Sequence, residues 1–510
     1  MDGGPSGNGG AGGSSFGTGG VTSGAGTDAS FAGGAASGGV AGGRASGGGG
    51  TAPNGGASGA GGHASGDGGA AANGGVSGAR GGSSGESSKD GGTAPDAGDA
   101  GAAGAGEGCA LRISAGGEQT CALKRDGTAW CWGNGTIGEL GDGMAEDDAL
   151  SPVQVVALGN TVADVVAGPS GSCALKQDGT LWCWGDNGMG EIGDGTQAGS
   201  KCTTSTVCRP VPTKVLLDSP VSSVALGADF TCAVGKGSAA NCWGFNSQGS
   251  LGDGSLTGYA CNNQDFCELS PTPVAIDKTV VQVGAGSSHA CALKSNGTVW
   301  CWGNNDLFQL SVVVSFCPSQ SMSYCTATPV QVSGLGNTVK QIAVGGAHNC
   351  ALKMDGSLWC WGYNQAGELG EGMPSANASS CGTSLAYKDN CEGPPVSVTA
   401  LGTNVVEVAA GSGPGGSGAT CARTRDGAVW CWGNNDNGQL GIGSNTTQPS
   451  PVRVTGLPRP AKQISVGYNS TACAVLDDGS PWCWGINNRG QLGDGTTMDR
   501  NTPVRVKLCP

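Results

Sequence analysis

The chain has 510 residues, of which 102 are glycine and 24 are cysteine, and its formal net charge is −14. The negative charge is spread along the sequence and no cluster of Lys and Arg appears, which argues against nucleic acid or an anionic membrane as the main partner. No apolar run reaches the roughly 18 residues of a membrane-spanning helix, so no transmembrane segment is predicted.

Residues 1–108 form the first segment and consist mostly of Gly, Ala, Ser, Asn and Asp. Phe16 and Phe31 are its only aromatic residues. This composition buries too little apolar surface to offset the entropy of ordering a backbone, so we expect a disordered tether. A Gly/Ser-rich chain of this length would have a root-mean-square reach of roughly 50–60 Å. Its glycines keep no period of three, which excludes a collagen-like triple helix.

The first ten residues, MDGGPSGNGG, have neither the basic nor the apolar part of a signal peptide. The cysteine content nevertheless favours an oxidising compartment. We therefore expect an extracellular or cell-surface location, with an export signal, and with it a lipid-attachment cysteine, encoded upstream of Met1.

Residues 109–510 form the second segment and contain all 13 tryptophans and all 24 cysteines. One motif recurs there seven times. Its copies are CALKRDGTAWCWG from 121, CALKQDGTLWCWG from 173, CAVGKGSAANCWG from 232, CALKSNGTVWCWG from 291, CALKMDGSLWCWG from 350, CARTRDGAVWCWG from 421 and CAVLDDGSPWCWG from 473. Most copies are followed by N-x-x-G-x-L-G-D-G, as in NNRGQLGDG at 487–495.

Two further runs accompany each motif. One is P-V-x-V-like, such as PVQV at 152, and the other is a β-branched run that ends in glycine, such as IAVGG at 342. Each repeat thus offers four short strand-like runs separated by Gly, Asp and Asn turns. Four strands per repeat and seven repeats predict an all-β fold, a seven-bladed β-propeller.

The two ends of this segment suggest how the ring closes. The first repeat begins at ALRISAG (110–116) without a preceding PVxV run, and the chain ends with TPVRVKLCP. We therefore expect the two termini to complete one blade between them, which removes the open edge of the ring. Cys109 and Cys509 would then meet in a disulfide, and closing a loop of about 400 residues stabilises by at most roughly 6 kcal/mol.

The nine-residue gap between the motif cysteines fits a hairpin. With Arg125-Asp126-Gly127 as a three-residue turn, Cys121 faces Cys131 on the neighbouring strand, within disulfide range. Zinc ligation and reduced core cysteines are the alternatives, but structural zinc sites favour short C-x2–4-C spacings and the chain has no C-x-x-C. The expected pairs are Cys121–Cys131, Cys173–Cys183, Cys232–Cys242, Cys291–Cys301, Cys350–Cys360, Cys421–Cys431, Cys473–Cys483, the loop pairs Cys202–Cys208, Cys261–Cys267, Cys317–Cys325 and Cys381–Cys391, and the terminal pair Cys109–Cys509.

Four consecutive repeats carry a longer loop before the PVxV run, at roughly 196–210, 255–271, 314–327 and 373–393. Each loop holds one extra cysteine pair, and because the loops share one topological position we expect them on one face of the disc. They also contain five aromatic residues that we propose as partner-binding residues: Tyr259, Phe266, Phe316, Tyr324 and Tyr387. Rigid loops with exposed aromatic side chains suit a binding face. The alternative is that the disulfides only pin tolerated insertions.

Catalytic and metal chemistry find little support in the sequence. His63 lies in the tether, and His289 and His348 share a repeat position that other copies fill with unrelated residues, which indicates a structural role. No Ser or Cys nucleophile can be matched to a histidine base, so we predict no catalytic residue, no cofactor and no metal. NNDNG at 434–438 lacks the terminal glutamate of an EF-hand loop. The regularly placed tryptophans indicate packing between blades, with an aromatic ligand cage as the alternative.

The pattern of P-V-x-V, x-V-A-A-G, A-L-x-x-D-G-x-x-x-x-W-G and N-x-x-G-Q-L-G-D-G resembles the regulator of chromosome condensation repeat family, over about 400 residues. The resemblance implies a seven-bladed propeller closed by strands from both termini. Members include a nuclear exchange factor for a small GTPase and a secreted bacterial protein that binds and inhibits β-lactamases. The resemblance therefore implies protein binding more firmly than any one activity. Paired cysteines and the Gly/Ser arm make this chain look like an exported bacterial variety.

Together these features predict a non-enzymatic, monomeric binding or scaffold module that recognises a protein or a glycan through loops on one propeller face. A guanine-nucleotide exchange regulator of a small GTPase is the alternative, and free thiols would favour it. A propeller hydrolase would need a carboxylate cluster at the ring centre, which the sequence does not locate.

Overall fold

The computed structural model describes residues 109–145, 147–202, 207–261, 265–317, 323–372, 379–380, 390–413 and 416–509. The chain divides into the units 1–96 and 97–510, and only the second contains described residues. The tether expected over 1–108 lies outside the described residues and stays a prediction.

The second unit contains seven antiparallel sheets, each built from consecutive residues. We number the sheets as blades 1 to 7 in chain order. Blade 1 contains β1 (Ala110–Ala115), β2 (Gln119–Lys124), β3 (Ala129–Gly133) and β4 (Ala149–Gln154); blade 2 contains β5 (Val162–Ala167), β6 (Gly171–Lys176), β7 (Leu181–Asp186), β8 (Ser200–Lys201) and β9 (Val207–Lys214); blade 3 contains β10 (Val221–Leu226), β11 (Phe230–Gly235), β12 (Ala240–Phe245), β13 (Tyr259–Ala260) and β14 (Phe266–Pro273).

The remaining four blades repeat the plan. Blade 4 contains β15 (Val280–Ala285), β16 (His289–Lys294), β17 (Val299–Asn304) and β18 (Cys325–Gln331); blade 5 contains β19 (Val339–Val344), β20 (His348–Lys353), β21 (Leu358–Tyr363), β22 (Ser379–Ser380) and β23 (Asn390–Ser397); blade 6 contains β24 (Val405–Ala410), β25 (Ala419–Thr424), β26 (Val429–Gly433) and β27 (Gln448–Arg453); blade 7 contains β28 (Ala461–Val466), β29 (Thr471–Leu476), β30 (Pro481–Gly485) and β31 (Arg500–Arg505). Two short 3₁₀ segments, Val156–Leu158 and Thr399–Leu401, lie between blades.

The predicted all-β, seven-bladed propeller is thus confirmed. The first strands of the blades (β1, β5, β10, β15, β19, β24 and β28) contact one another in sequence, and β28 returns to β1, so they form a closed inner ring. The PVxV runs form the outer strand of each blade, as in β4 and β31 of the four-stranded blades 1 and 7. We call the side that carries the first-to-second and third-to-fourth strand connections the loop face. The opposite side, with the second-to-third turns and the passages between blades, is the hairpin face.

The motif hairpin follows the register that its turn dictates. Cys121 lies opposite Cys131 and Ala122 opposite Trp130. The Lys124 amide donates to the Thr128 carbonyl at 2.9 Å, and Gly127 takes φ 80°, a left-handed conformation that glycine adopts without steric cost. The same pairing of motif cysteines recurs in all seven blades.

One detail of the expected closure is wrong. The termini do not share a blade, because blade 1 uses only residues 110–154 and blade 7 only residues 461–505. The terminal PVRV run pairs with the strand that precedes it, with Cys483 opposite Val504. The physical reason is local. In each repeat the connection that contains LGDG reverses the chain direction, so the PVxV run pairs with the third strand that precedes it and completes that blade. The sequence repeat alone fits either division.

The ring closes instead through contacts between two complete blades. Cys109 and Cys509 form a disulfide with a Cα–Cα distance of 5.6 Å. The Ile113 amide donates to the Gln463 side-chain oxygen at 2.9 Å, and the Ala115 amide to the Ser465 hydroxyl at 3.0 Å. Blade 7 therefore meets blade 1 with backbone groups satisfied by side chains, and among the described strands none is shared between the two blades.

The core lies between blades and has two repeated components. The second tryptophan of each motif is fully buried, namely Trp132, Trp184, Trp243, Trp302, Trp361, Trp432 and Trp484. Each packs against the motif cysteines of the preceding blade, as Trp184 does with Cys121 and Cys131. The Trp184 indole N–H donates to the Glu139 carbonyl at 2.7 Å, which satisfies the polar end of a buried aromatic side chain. This second tryptophan packs between blades, as the sequence indicates.

The first tryptophan of the motif differs. Trp130, Trp182, Trp300 and Trp359 are half-buried, and in each case a lysine ammonium lies over the indole ring, at 4.2 Å for Lys353 on Trp359. These side chains therefore contribute a stacked, partly exposed layer toward the hairpin face and belong less to the core.

Candidate binding face

The extended loops lie at one topological position on the loop face, as their shared place in the repeat requires. In blades 2, 3 and 5 the loop adds a two-residue strand, β8, β13 or β22, that pairs antiparallel with the outer strand of the same blade. In blade 4 a single bridge joins Phe316 and Tyr324. Four neighbouring blades thus carry outgrowths on one side of the disc.

Disulfides tie these outgrowths to the blades. Cys202–Cys208, Cys261–Cys267 and Cys317–Cys325 have Cα–Cα distances of 5.9, 5.9 and 5.3 Å. Cys208 and Cys267 are fully buried at the start of the outer strand, so each loop is attached at a fixed point of its blade. Cys391 holds the same place in blade 5, but its expected partner Cys381 lies outside the described residues. All of these are pairs expected from the sequence.

The proposed aromatic residues occupy two neighbouring blades. Tyr259 is 58% exposed and Phe316 is 49% exposed. The Phe316 and Tyr324 rings stack with centroids 4.3 Å apart. Phe266 and Tyr324 are half-buried, and Tyr387 lies outside the described residues. The structure therefore brings Phe316 and Tyr324 together and leaves Tyr259 as a separate exposed ring.

Three exposed apolar residues on this face were not found from the sequence. Val313 is 89% exposed, Met144 is 67% exposed and Met498 is 62% exposed. All three lie in connections between a third and a fourth strand. The residues around Met144 and Met498 are mostly Gly, Asp and Thr, whereas Val313 lies in an apolar run between Val312 and Val314. For Met144 and Met498 the sequence did offer a signal, namely an apolar residue within a turn-forming segment whose backbone does not require one.

Acidic and basic residues are distributed unequally between the two faces, and the order of residues along the chain did not predict this. On the loop face the described acidic residues outnumber the basic ones several-fold. The acidic residues are Glu118, Glu139, Asp142, Asp147, Asp148, Asp186, Glu191, Asp194, Asp229, Asp253, Asp265, Glu268, Asp306, Glu368, Glu371, Glu392, Asp436, Asp494 and Asp499, and the basic residues are Lys201, Arg209, Arg489 and Arg500. Arg209, Arg489 and Arg500 each pair with a carboxylate. The loop face is therefore an acidic surface with exposed apolar residues.

The hairpin face has the opposite balance. Its basic residues are Arg112, Lys124, Arg125, Lys176, Lys214, Lys236, Lys278, Lys294, Lys340, Lys353, Arg423, Arg425, Arg453, Arg459, Lys462, Arg505 and Lys507, and its acidic residues are Asp126, Asp164, Asp178, Asp218, Asp277, Asp355, Glu407, Asp426, Asp477 and Asp478. These residues come from every blade, so their grouping is invisible along the chain.

Three glutamates lie beneath the loop face, between blades; Glu139 and Glu368 are buried, and Glu191 is half-buried. Burial raises the pKa of Glu139 to about 7 and that of Glu368 to about 7, and burial together with repulsion from Asp186 raises the pKa of Glu191 well above its usual range. Each carboxylate accepts an amide hydrogen two residues upstream, at 2.8 Å from Ile137 in blade 1. The equivalent position is glutamine or serine in the other four blades, namely Ser250, Gln309, Gln439 and Gln491. A carboxyl group that holds its proton more tightly than usual therefore occupies the place of an amide or a hydroxyl.

Tyr468 reaches across the mouth of the central ring on the loop face. It follows the first strand of blade 7, and its hydroxyl donates to the carbonyl oxygen of Ala285 in blade 4. Its own amide donates to the Gly116 carbonyl of blade 1 at 2.8 Å. Burial raises the pKa of Tyr468. One side chain thus joins inner strands on opposite sides of the ring and narrows the channel entrance.

The two histidines of the propeller are fully buried between blades. His289 Nε2 lies 2.9 Å from Asn349 Oδ1, and His348 Nε2 lies 2.8 Å from Thr420 Oγ1. Burial lowers the pKa of His289 to about 4 and that of His348 to about 3. Both rings are neutral at physiological pH and closed to solvent, so they join neighbouring blades and cannot meet a substrate.

These observations define the class of protein as a disulfide-stapled, seven-bladed β-propeller with an acidic loop face. Comparison with known families gives its membership. The RCC1-like domain matches residues 82–414, and the regulator of chromosome condensation (RCC1) repeat matches residues 426–474 and 478–510. The chain belongs to the RCC1 repeat family.

Its relatives have diverse roles. The chain is 30% identical to the ultraviolet-B receptor UVR8 of Arabidopsis thaliana over 403 residues, which covers 78% of this chain and 81% of the receptor. It is 28% identical over 422 residues to the secretion-regulating guanine nucleotide exchange factor of Mus musculus, covering 77% and 82%. The crystal structure of Prp20p from Saccharomyces cerevisiae matches with a TM-score of 0.57 at 20% identity, covering 70% and 80%, which shows the shared fold alone. Within the described ranges, no helix is long and apolar enough to span a membrane.

Proposed function

We propose that this propeller is a non-enzymatic binding module that recognises a protein through its loop face. The observation that carries the proposal is the row of outgrowths on blades 2 to 5, tied by disulfides in blades 2 to 4, with exposed Tyr259 and Phe316. Loops fixed by disulfides lose little conformational entropy on binding, and aromatic side chains supply most of the energy at interfaces. Membership of a family whose relatives include receptors and regulators supports binding as the role.

The chemistry of the face indicates the kind of partner. The loop face carries both carboxylates and exposed apolar side chains such as Val313 and Phe316. A basic protein surface with apolar residues at its centre complements both features, and charge complementarity raises the association rate and the selectivity more than the affinity. Binding is therefore expected to weaken as salt is raised. A glycan ligand would show little dependence on salt.

The location is proposed on the same basis. Disulfides at twelve expected positions suit an extracellular or cell-surface protein. Cys109, where the tether of residues 1–108 joins the propeller, lies on the hairpin face, since its carbonyl accepts the amide hydrogen of Arg125 in the β2–β3 turn. The module would act as a monomer on a flexible arm.

A comparison of two matched variants tests the binding face. One variant carries Tyr259→Ser, Val313→Ser and Phe316→Ser on the loop face; the other carries Leu111→Ser, Val156→Ser and Met354→Ser, three exposed apolar residues of the hairpin face. Each is immobilised and exposed to a membrane-free extract of the source cells and their medium, and captured proteins are quantified by mass spectrometry. Loss of a captured protein by at least roughly tenfold in the first variant alone supports the proposal. Equal capture by the wild type and both variants contradicts it.

Nucleotide exchange on a small GTPase is the second candidate, and it rests on the similarity to the secretion-regulating guanine nucleotide exchange factor over most of both chains. The experiment follows release of a fluorescent GDP analogue from a panel of small GTPases of the source cell. Acceleration by catalytic amounts of the oxidised propeller would favour exchange. Release at the intrinsic rate leaves binding without exchange as the function.

A further inference from the structure

The hairpin face presents basic residues with few partners. Four of them form ion pairs, Arg112 with Asp164, Lys294 with Asp277, Arg423 with Glu407 and Arg459 with Asp477, and so contribute little net charge. In the described part of the chain, Arg425, Arg453, Lys462, Arg505 and Lys507 form no ion pair and are exposed. These five residues belong to blades 6 and 7.

This sector surrounds the place where the propeller joins residues 1–108. Arg425 lies in the second-to-third turn of blade 6, Arg453 and Arg505 end the outer strands of blades 6 and 7, and Lys507 lies two residues before Cys509. Blade 1 continues the sector with Lys124, whose ammonium lies 4.8 Å from the Trp130 ring centroid. Lys214, Lys236, Lys278 and Lys340 of the other blades are also exposed, and within the described residues they form no ion pair. Positive charge therefore extends over the whole hairpin face, and its exposed arginines Arg425, Arg453 and Arg505 lie in blades 6 and 7.

Apolar side chains are exposed on the same face. Leu111 precedes Arg112 at the start of blade 1, Val156 begins the passage to blade 2, and Met354 follows Lys353 in the turn of blade 5. The face itself is made of short turns and short passages between blades, because all of the described outgrowths lie on the other side. Basic residues interspersed with single apolar tips on a level surface are the features of a protein that lies on an anionic membrane interface.

The acidic loop face does not cancel this attraction. Strands of six residues separate the two faces by roughly 20 Å, since a strand rises about 3.3 Å per residue. The Debye length at physiological ionic strength is about 8 Å, so charges on the far face are largely screened from a surface that touches the hairpin face. The overall charge of −14 therefore does not decide how this face behaves.

We propose that the hairpin face docks on the surface of a bilayer that contains anionic phospholipids. The basic sector of blades 6, 7 and 1 contacts phosphate-bearing headgroups, and Leu111, Val156 and Met354 enter the interface beside them. The tether leaves from the same face, so docking brings the root of the arm to the membrane and turns the loop face outward. The absence of a Lys and Arg cluster along the sequence is no argument against such a partner, because the fold assembles one from separate blades.

Vesicle binding tests this inference with the full, disulfide-bonded chain. The probe is a set of vesicles of phosphatidylcholine alone and of phosphatidylcholine with phosphatidylglycerol at about 7:3, at low and at physiological salt. The wild type is expected to sediment with the anionic vesicles only, and less so at higher salt. The variant Arg425→Gln/Arg453→Gln/Arg505→Gln is expected to bind roughly a hundredfold more weakly, at about fivefold per removed charge.

A control with the same change in net charge separates location from total charge. It carries Lys201→Gln, Thr257→Glu and Thr446→Glu, all at exposed positions of the loop face. It is expected to bind anionic vesicles as the wild type does. The proposal is overturned if the wild type does not bind the vesicles, or if the triple Arg variant binds them equally well. It is also overturned if, with DNA added as a competing polyanion, the wild type binds the DNA and not the vesicles. The outcome is independent of partner capture by the loop face.

Discussion

Trp184 of blade 2 donates its indole N–H to the backbone carbonyl of Glu139 of blade 1, at 2.7 Å. The same carbonyl position accepts the buried tryptophan of the following blade all round the ring, as from Trp361 to Gln309 at 2.8 Å and from Trp132 to Gln491 at 2.9 Å. One hydrogen bond therefore couples every pair of neighbouring blades, including the pair that closes the ring. The residue that offers the carbonyl is glutamate or glutamine in six blades and Ser250 in blade 3.

Replacing Trp184 tests this coupling. Trp184→Phe should lower the free energy of unfolding by about 1–3 kcal/mol, because the Glu139 carbonyl loses its main buried donor and the ring leaves a void. Urea denaturation with the disulfides intact measures the change. Trp182→Phe is the matched control on the same strand, since Trp182 is half-buried and stacks with Lys176. An equal effect of the two substitutions would show that the inter-blade bond contributes nothing.

The buried Glu368 makes stability depend on pH. Burial raises its pKa from 4.5 to about 7, so the folded chain holds this proton more tightly than the unfolded chain. The contribution of this protonated carboxyl to the free energy of unfolding is complete below about pH 4.5. It is lost as pH rises to about 7, by at most about 1.4 kcal/mol per pH unit. Glu368→Gln should remove this loss and leave the protein roughly 2–3 kcal/mol more stable than the wild type at about pH 8, with little difference at about pH 4.

The reverse substitution provides the control. Gln439 is the equivalent residue of blade 6 and is likewise buried. Gln439→Glu should add a second dependence of the same sign between about pH 4.5 and 7, measured as the urea midpoint at each pH. If neither substitution changes how the midpoint varies with pH, the carboxylates are ionised in the folded state and the role of burial is wrong.

The repeat specified the blades in advance because each depends on local chemistry. A cysteine pair with nine residues between its members, across an Arg125-Asp126-Gly127 turn, fixes one hairpin register, and the structure has Cys121 opposite Cys131. The extended loops were visible as interruptions of the repeat, and their shared topological position placed them on one face. The stacked pair Phe316 and Tyr324 follows from that position.

What the sequence could not show depends on contacts between repeats. A periodic string can be divided before or after its PVxV run, and only the pairing of Cys483 with Val504 decides the division. The segregation of charge was hidden for a related reason. Arg425 and Arg505 lie eighty positions apart in the sequence, while neighbouring residues such as Lys124 and Glu118 belong to opposite faces.

Removing the terminal disulfide should weaken the boundary between blades 7 and 1. Cys109→Ala/Cys509→Ala opens a loop with a sequence separation of 400, so the loss of stability should approach roughly 6 kcal/mol, less what a compact denatured state already retains. Cys291→Ala/Cys301→Ala opens a separation of 10, for which the same relation gives roughly 3 kcal/mol. Hydrogen exchange should accelerate in β1 and β28 of the first variant and stay slow in β15. Uniform acceleration in all blades would contradict a local seam.

Tyr468 provides the last prediction, because this half-buried residue donates its phenol hydrogen to the Ala285 carbonyl across the ring. Burial raises its pKa, so it should stay protonated at about pH 11, where a tyrosine with an unperturbed pKa of about 10 ionises. The measurement is the phenolate absorbance of folded wild type and of Tyr468→Phe at that pH. The two proteins should give the same amplitude, and they should differ by one tyrosine after denaturation. A smaller amplitude for the folded variant would mean that Tyr468 is open to solvent and that the channel mouth is not closed by its side chain.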